Sequence, residues 1–190
     1  MEGFAACEIC GADAWKPVYQ GPVRDGAFGN LTEETTVAEC KDCGVRRLAE
    51  ASCHDEDFYA GPDYWRSVAG GDGFSNSHEM MADEGLHGLW SENLGGKIVA
   101  EIGAGAGGFL DQVCDLDTPP ARIVAVEPAD ALRPDLQARG YPTFAYAADA
   151  VEEFGGAVDL ACTFNVIEHV PGPVEFLADI AALLAPTGRL

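Results

Sequence analysis

Three patterns of apolar and polar positions follow one another along this chain. In roughly the first fifty residues the apolar positions are sparse, and short β-like pieces lie around Pro17–Gln20, Thr35–Glu39 and Val45–Leu48. From Ile98 onward they gather into continuous runs: Ile98–Ile102, broken only by Glu101, then Arg122–Val126, Tyr141–Tyr146 and Val158–Thr163. Short apolar runs without alternation are strands buried on both faces of a parallel sheet. Between them the period becomes helical, with Phe109, Leu110, Val113 and Cys114 on one face and a short helix over Asp130–Arg139 that Gly140 ends. Val174, Leu177, Ile180, Ala181 and Leu184 form a further stripe behind Pro173. Strands alternating with helices predict an α/β fold, a doubly wound parallel sheet. The middle of the chain differs again. Residues 55–77 are rich in glycine and carry Phe58-Tyr59 and Tyr64-Trp65, which reads as a linker, and 77–93 suit a helix with Met80, Met81, Leu86, Leu89 and Trp90 as its apolar positions. The expected organisation is a small domain over 1–54, a linker with a lid-like helical segment over 55–93, and the larger α/β domain from 94 to 190.

Charge narrows the partners. The chain has 190 residues, a formal net charge of −21 and only three lysines, Lys16, Lys41 and Lys97. Such a surface repels phosphate backbones and anionic lipids, so neither nucleic acid nor a membrane is expected as a partner. The acidic residues are scattered along the chain, which fits adaptation to a salty cytoplasm where screening tolerates the self-repulsion. No uninterrupted apolar run reaches the roughly 18 residues needed to span a bilayer, and no signal segment opens the chain. A cytoplasmic location is expected.

Four of the seven cysteines form two copies of one motif, Cys7-Glu-Ile-Cys10-Gly11 and Cys40-Lys-Asp-Cys43-Gly44. Two thiolates on one tight turn reach the same ion, and the following glycine permits the left-handed backbone that turns N–H groups toward sulfur. Two such turns complete a tetrahedron with no open position, so Cys7, Cys10, Cys40 and Cys43 are the expected ligands of a structural Zn2+ in a zinc ribbon. A pair of disulfides or a redox dithiol is the competing reading, and Cys53 and His54 stand nearby as bystanders.

The chemistry of the larger domain turns on Val99-Ala-Glu-Ile-Gly-Ala-Gly-Ala-Gly-Gly-Phe-Leu110, a buried strand, a glycine turn and a helix start. Such a turn brings a nucleotide-like ligand against the main chain. Read as Gly103-x-Gly105-x-x-Gly108 it satisfies the dinucleotide fingerprint of NAD-dependent oxidoreductases. Read as Glu101-x-Gly103-x-Gly105-x-Gly107 it resembles the first motif of class I S-adenosylmethionine-dependent methyltransferases. A carboxylate at the strand end opposes a pyrophosphate but suits an ammonium and a neighbouring sulfonium. Glu127, roughly 20 positions beyond the glycines, is placed to accept from both ribose hydroxyls, or else to cap the next helix.

The resemblance extends through the order of the later motifs, and with the cysteine ribbon in front it points to methyltransferases with an N-terminal zinc-binding domain, some of which are sugar C-methyltransferases. It implies an incomplete Rossmann-like sheet and S-adenosylmethionine as cofactor, held by Glu101, Gly103, Gly105, Gly107, Glu127, Asp149, Ala150 and Asn165. In that family the acid after the third strand, here Asp149, accepts from the adenine amino group. Its rival role is helix N-cap, with Glu152 three residues on. Phe164-Asn165-Val166-Ile167-Glu168-His169-Val170 resembles the motif after the fourth strand, which makes Glu168 and His169 candidates to orient or deprotonate an acceptor, with Tyr59 and Tyr64 as further candidates. The implied partner is a small-molecule methyl acceptor such as a nucleotide-linked sugar. The segment Ala185–Leu190 is expected to be the turn into a fifth strand, with the family's remaining units missing. The competing class is a non-catalytic zinc-ribbon interaction module attached to an inactive nucleotide-binding half-domain.

Overall fold

A computed structural model of the chain describes residues 5–23, 34–48, 61 and 93–190. The linker over 55–77, the helix over 77–93 up to residue 92, and Cys53, His54, Tyr59 and Tyr64 lie outside the described residues. Two compact units divide the remainder. One holds the described residues of 1–53 together with Glu168–Val174, and the other holds those of 54–167 together with Glu175–Leu190.

The first unit is built on a three-stranded antiparallel sheet, β1 (Trp15–Gly21), β2 (Thr35–Cys40) and β3 (Arg46–Leu48), in the order β1-β2-β3. The three expected strands are present, and β2 runs one residue further, into the first cysteine of the second motif. Among the described residues of this unit the buried side chains are Cys7, Trp15, Ala38 and Cys40, with Ala12 and Val45 packed against them. So small an apolar cluster does not hold these three strands together unaided. Arg47 lies 4.8 Å from the centre of the Trp15 ring and donates to Glu8 at 2.8 Å, while Trp15 Nε1 donates to the Ala5 carbonyl at 3.1 Å.

The second unit is a five-stranded, wholly parallel sheet. Its strands are β4 (Ile98–Ile102), β5 (Arg122–Val126), β6 (Thr143–Phe144), β7 (Val158–Thr163) and β8 (Leu184–Arg189), in the order β6-β5-β4-β7-β8. The helices among the described residues are α1 (Gly108–Cys114), α2 (Arg133–Ala138), α3 (Ala147–Phe154) and α4 (Pro173–Leu183). One face of the sheet (Val99, Ile123, Ala125, Leu160) packs against Phe109, Leu110 and Val113 of α1 and Leu136 of α2. The other (Ala100, Ile102, Val124, Val126, Ala161) packs against Ala147, Ala150 and Phe154 of α3 and Ile180 and Leu183 of α4. This is an α/β, Rossmann-like doubly wound sheet, preceded by a small cysteine-bearing ribbon.

Several local expectations are corrected. The third strand shrinks to Thr143–Phe144, because α3 already begins at Ala147. In α2 the helix starts only at Arg133, with Pro134 in its first turn, where a missing N–H costs nothing. Cys114 is exposed, so the buried face of α1 is Phe109, Leu110 and Val113. On α4 the buried stripe is Phe176, Ile180 and Leu183, while Val174 and Leu177 are each 38% exposed. Leu184–Arg189 form β8, where Leu184 was expected on the helix and Ala185–Leu190 as the turn into a fifth strand. It pairs with β7 through Val158↔Leu184 and Leu160↔Arg189, with an irregularity between them that absorbs the Pro-Thr-Gly sequence.

Candidate functional site

Because β4 lies between β5 and β7, the chain runs outward through β5 and β6 and then returns to the other side of β4. The strand order therefore reverses beside the carboxyl end of β4, where open α/β sheets bind their ligands. The backbone there is tied tightly. Gly103 N–H and Ala104 N–H both donate to the Val126 carbonyl, at 2.8 and 3.0 Å, and Gly107 N–H closes the turn on Ala104 at 2.8 Å. Gly103, Gly105 and Gly107 have φ of 85°, 55° and 79°, a region that side chains with a Cβ rarely enter. At Gly103 a Cβ would also stand 2.3 Å from Cγ2 of Val166, so the segment after β7 lies directly on the turn.

Two buried carboxylates stand at the strand ends. Glu101 is 5% exposed and is paired in register with Ala125 on one side and Cys162 on the other. Its Oε2 is buried with no hydrogen-bond partner. Burial, and then the nearby charge of Glu127, push its carboxyl well above the ordinary carboxylate range. Glu127 is 6% exposed, and both of its oxygens are engaged: Oε2 accepts from Gly105 N–H at 2.7 Å and Oε1 from Ala129 N–H at 2.8 Å. Burial raises this carboxyl as well, opposed by those two N–H groups and by Arg133. The expected helix-capping alternative for Glu127 is not realised: α2 starts at Arg133, with Leu132 as its N-cap and no side-chain cap hydrogen bond, and Ala129 lies in the loop before it. The hydrogen bond from the glycine turn to Glu127 was not foreseen either.

The remaining expected residues are distributed more widely. Asp149 is exposed at the third position of α3, and its Oδ2 accepts from Tyr146 N–H at 3.0 Å, so it reaches back to the residue before the helix and is not the N-cap itself. Ala150 has its side chain in the apolar core between sheet and helix. Asn165 has a left-handed backbone with φ 53° in the turn after β7. Glu168 and His169 lie in a 3-10 turn, Ile167–His169, exposed and half-buried respectively, within the Glu168–Val174 segment that falls with the first unit. Sequence reasoning missed Thr163, whose buried Oγ1 at the end of β7 has no partner, and the Val166 contact. A hydroxyl on the last residue of a buried strand beside the switch point was the available signal for the first.

In the first unit, the Sγ atoms of Cys7, Cys10, Cys40 and Cys43 all lie within 4.8 Å of one another, and the Cys7–Cys43 and Cys10–Cys40 separations are both 3.6 Å. Bonds of about 2.3 Å from zinc to sulfur place the corners of a tetrahedron about 3.8 Å apart. The thiols are free, which sets the disulfide reading aside for these cysteines. Main-chain N–H groups turn toward the sulfurs, Ala12 to Cys10 and Val45 to Cys43, as the two Cys-Gly turns demand. The N–H groups of Cys43 and then Asp42 hold the Cys40 thiol down to about 7, against its burial. The donor set fits a structural zinc ion.

Known proteins bear on the second unit. Residues 100–190 match the family model described as a methyltransferase domain. No curated protein matches the chain significantly. Among 16 matching solved chains is one from a complex between the Haloferax volcanii Trm112 methyltransferase activator and a protein described as a methyltransferase. At 19% identity and a TM-score of 0.53, the match covers 65% of this chain and 55% of that one, so the chain spans little more than half the length of its structural match. The domain match covers less than half of the chain, and the structural match shows a shared fold. One expectation is overturned: a small-molecule acceptor was the partner implied by sequence, whereas the matched structure holds a methyltransferase with a protein activator, a finding that points to a protein partner. The sugar acceptor is dropped with it. No helix among the described residues is long and apolar enough to cross a membrane.

Proposed function

We propose that the sheet unit binds S-adenosylmethionine at the carboxyl ends of β4 and β5 and serves methyl transfer from it, while zinc holds the cysteine ribbon together. The observation that carries this reading is the unpartnered Oε2 of Glu101, buried at the carboxyl end of β4 beside the switch point. A buried carboxylate without a donor is costly, and a ligand that brings a cationic donor relieves the cost. Glu101 would pair with the ammonium of the methionine moiety. Glu127 would offer its remaining lone pairs to the ribose hydroxyls, and Asp149 and Asn165 would line the adenosyl end, while Ala150, fully buried in the core, is set aside as a ligand. When bound, the cofactor supplies an electrophilic methyl group on a sulfonium, and the task left to the protein is to orient it, exclude water and accept any proton released. For that last task Glu168, His169, Tyr59 and Tyr64 are the candidates.

A protein partner belongs to the same reading, supported by the activator complex of the Haloferax structure. The Haloferax source of that match also fits the salt adaptation read from the acidic composition.

Calorimetry with S-adenosylmethionine, S-adenosylhomocysteine and NAD tests the cofactor. Micromolar binding of the first two alone supports the proposal. Binding of NAD alone turns it into an oxidoreductase, and binding of none of the three returns the inert-module reading. For the partner, a tagged chain isolated from its own cells and sized by light scattering is expected to carry a stoichiometric second protein. A bare chain in that measurement counts against a protein partner.

A further inference from the structure

The glycine turn is gripped from the side of α2. Arg139, just past the end of α2, donates through Nη2 to the Ala106 carbonyl at 2.5 Å and through Nη1 to Asp111 Oδ2 at 2.5 Å. The other oxygen of Asp111 accepts from Tyr141 Oη at 2.7 Å, and the guanidinium lies 5.6 Å from the centre of the Tyr141 ring. A Cβ on Gly107 would stand 2.8 Å from Arg139 Nη2 and 2.6 Å from Leu136 Cδ2. The absent side chain at 107 therefore makes room for α2, a purpose different from letting a ligand approach the main chain.

The peptide bond is planar, so fixing the Ala106 carbonyl also fixes the direction of the Gly107 N–H, which closes the turn on Ala104. Guanidinium is suited to this task because its planar fork makes two directed hydrogen bonds at once, where an ammonium offers a point charge. Glu127 grips the same turn one residue earlier, at Gly105. The turn is thus held at adjacent residues from opposite elements.

We propose that Arg139 is a positioning residue for the cofactor turn: by bridging Ala106 and Asp111 it sets the 106–107 peptide plane and with it the shape of the Gly103–Gly107 backbone on which the ligand rests. The inference rests on the reading of that crevice as the cofactor site. Amide hydrogen exchange by NMR on the ligand-free chain and calorimetry with S-adenosylhomocysteine test it together, using Arg139→Gln, Arg139→Lys and Asp111→Asn. Arg139→Gln is expected to speed exchange at Gly105 and Gly107 about tenfold while leaving the amides of β4 and β5 unchanged, and to weaken binding about tenfold. Arg139→Lys recovers only a minor part of either loss, and adding Asp111→Asn to Arg139→Gln brings little further change, because the two residues form one bridge. Equal acceleration across the whole sheet, or no change at Gly105 and Gly107, overturns the proposal. Should the unaltered chain bind no S-adenosylhomocysteine, the cofactor reading fails, while the exchange pattern still decides whether Arg139 sets the turn.

Discussion

Glu101 and Glu127 are buried carboxylates at the ends of adjacent strands, and the fold treats them oppositely. Gly105 and Ala129 satisfy both oxygens of Glu127 with main-chain N–H groups, whereas Oε2 of Glu101 has no donor. The first acid is part of the scaffold as well as a candidate ligand. The second keeps a buried oxygen without a donor, at a standing cost in stability.

That cost has a sign that pH reveals. The folded-state pKa of Glu101 is raised, by burial first and Glu127 second, so above the ordinary carboxylate range the folded chain holds a proton that the unfolded chain has lost. Stability from this group is complete below that range and is lost as pH rises toward the folded value. Glu101→Gln is therefore expected to melt higher than the native chain at pH 7, with the gap closing as pH falls toward 4.5. Melting curves across this range check it, and a variant that melts lower at pH 7 would contradict the account.

Ligand binding should run the other way. A cationic group at Glu101 favours the ionised carboxylate, so affinity for S-adenosylmethionine rises with pH in the native chain. In Glu101→Gln it is flat with pH and weaker by about tenfold to a hundredfold, the worth of a charge-assisted hydrogen bond. Calorimetry at several pH values measures both.

Loss of Glu127 should act first on folding. Glu127→Ala leaves two N–H groups, those of Gly105 and Ala129, without an acceptor, at about 1–3 kcal/mol each for buried donors. Urea titration is expected to show a loss of about 2–4 kcal/mol. A loss under about 0.5 kcal/mol would mean that the turn does not depend on this carboxylate.

Gly103 and Gly140 separate steric from conformational cost. Both have φ of 85°, but a Cβ at Gly103 meets Val166 at 2.3 Å and one at Gly140 meets nothing within 4 Å. Gly140→Ala is expected to cost about 1 kcal/mol, and Gly103→Ala at least about 2 kcal/mol more. Val166→Ala added to Gly103→Ala should restore part of the difference, as read by denaturant unfolding.

For the ribbon, metal analysis should find one zinc per chain, released by chelator or by Cys40→Ser. With so few buried apolar side chains, that unit is expected to lose its protected amides on release, while those of β4, β5 and β7 persist. Retained ribbon protection without metal would refute the structural role.

Much of this was legible because it depends on neighbours in sequence. Arg122–Val126 and Val158–Thr163 are strands over the residues expected, since a short apolar run between turn residues has few other ways to bury itself. The two Cys-x-x-Cys-Gly turns announce a four-sulfur cluster because their local geometry is nearly complete in five residues. By contrast, the α4 stripe was only partly right: Ile180 is buried and Leu184 packs on the core as expected, but Val174 and Leu177 are exposed and Phe176 and Leu183 face the sheet instead. Val174 and Leu177 have the same period as Phe176, Ile180 and Leu183, and only the position of the sheet decides between the two faces. Ala185–Leu190 were read as a turn for a similar reason, since Pro and Gly mark an edge strand as readily as a loop.

By itself, then, the sequence determined the elements, the cysteine cluster and the acids that end two adjacent strands, because period, turn chemistry and strand-end position are written within a few residues of one another. The tertiary structure alone decided what those acids do: Glu127 bonded to a glycine 22 residues away, Glu101 left without a donor, and Arg139 reaching Ala106 across 33 residues. A hydrogen bond between distant segments depends on where packing brings two backbones together, and no local pattern carries that information.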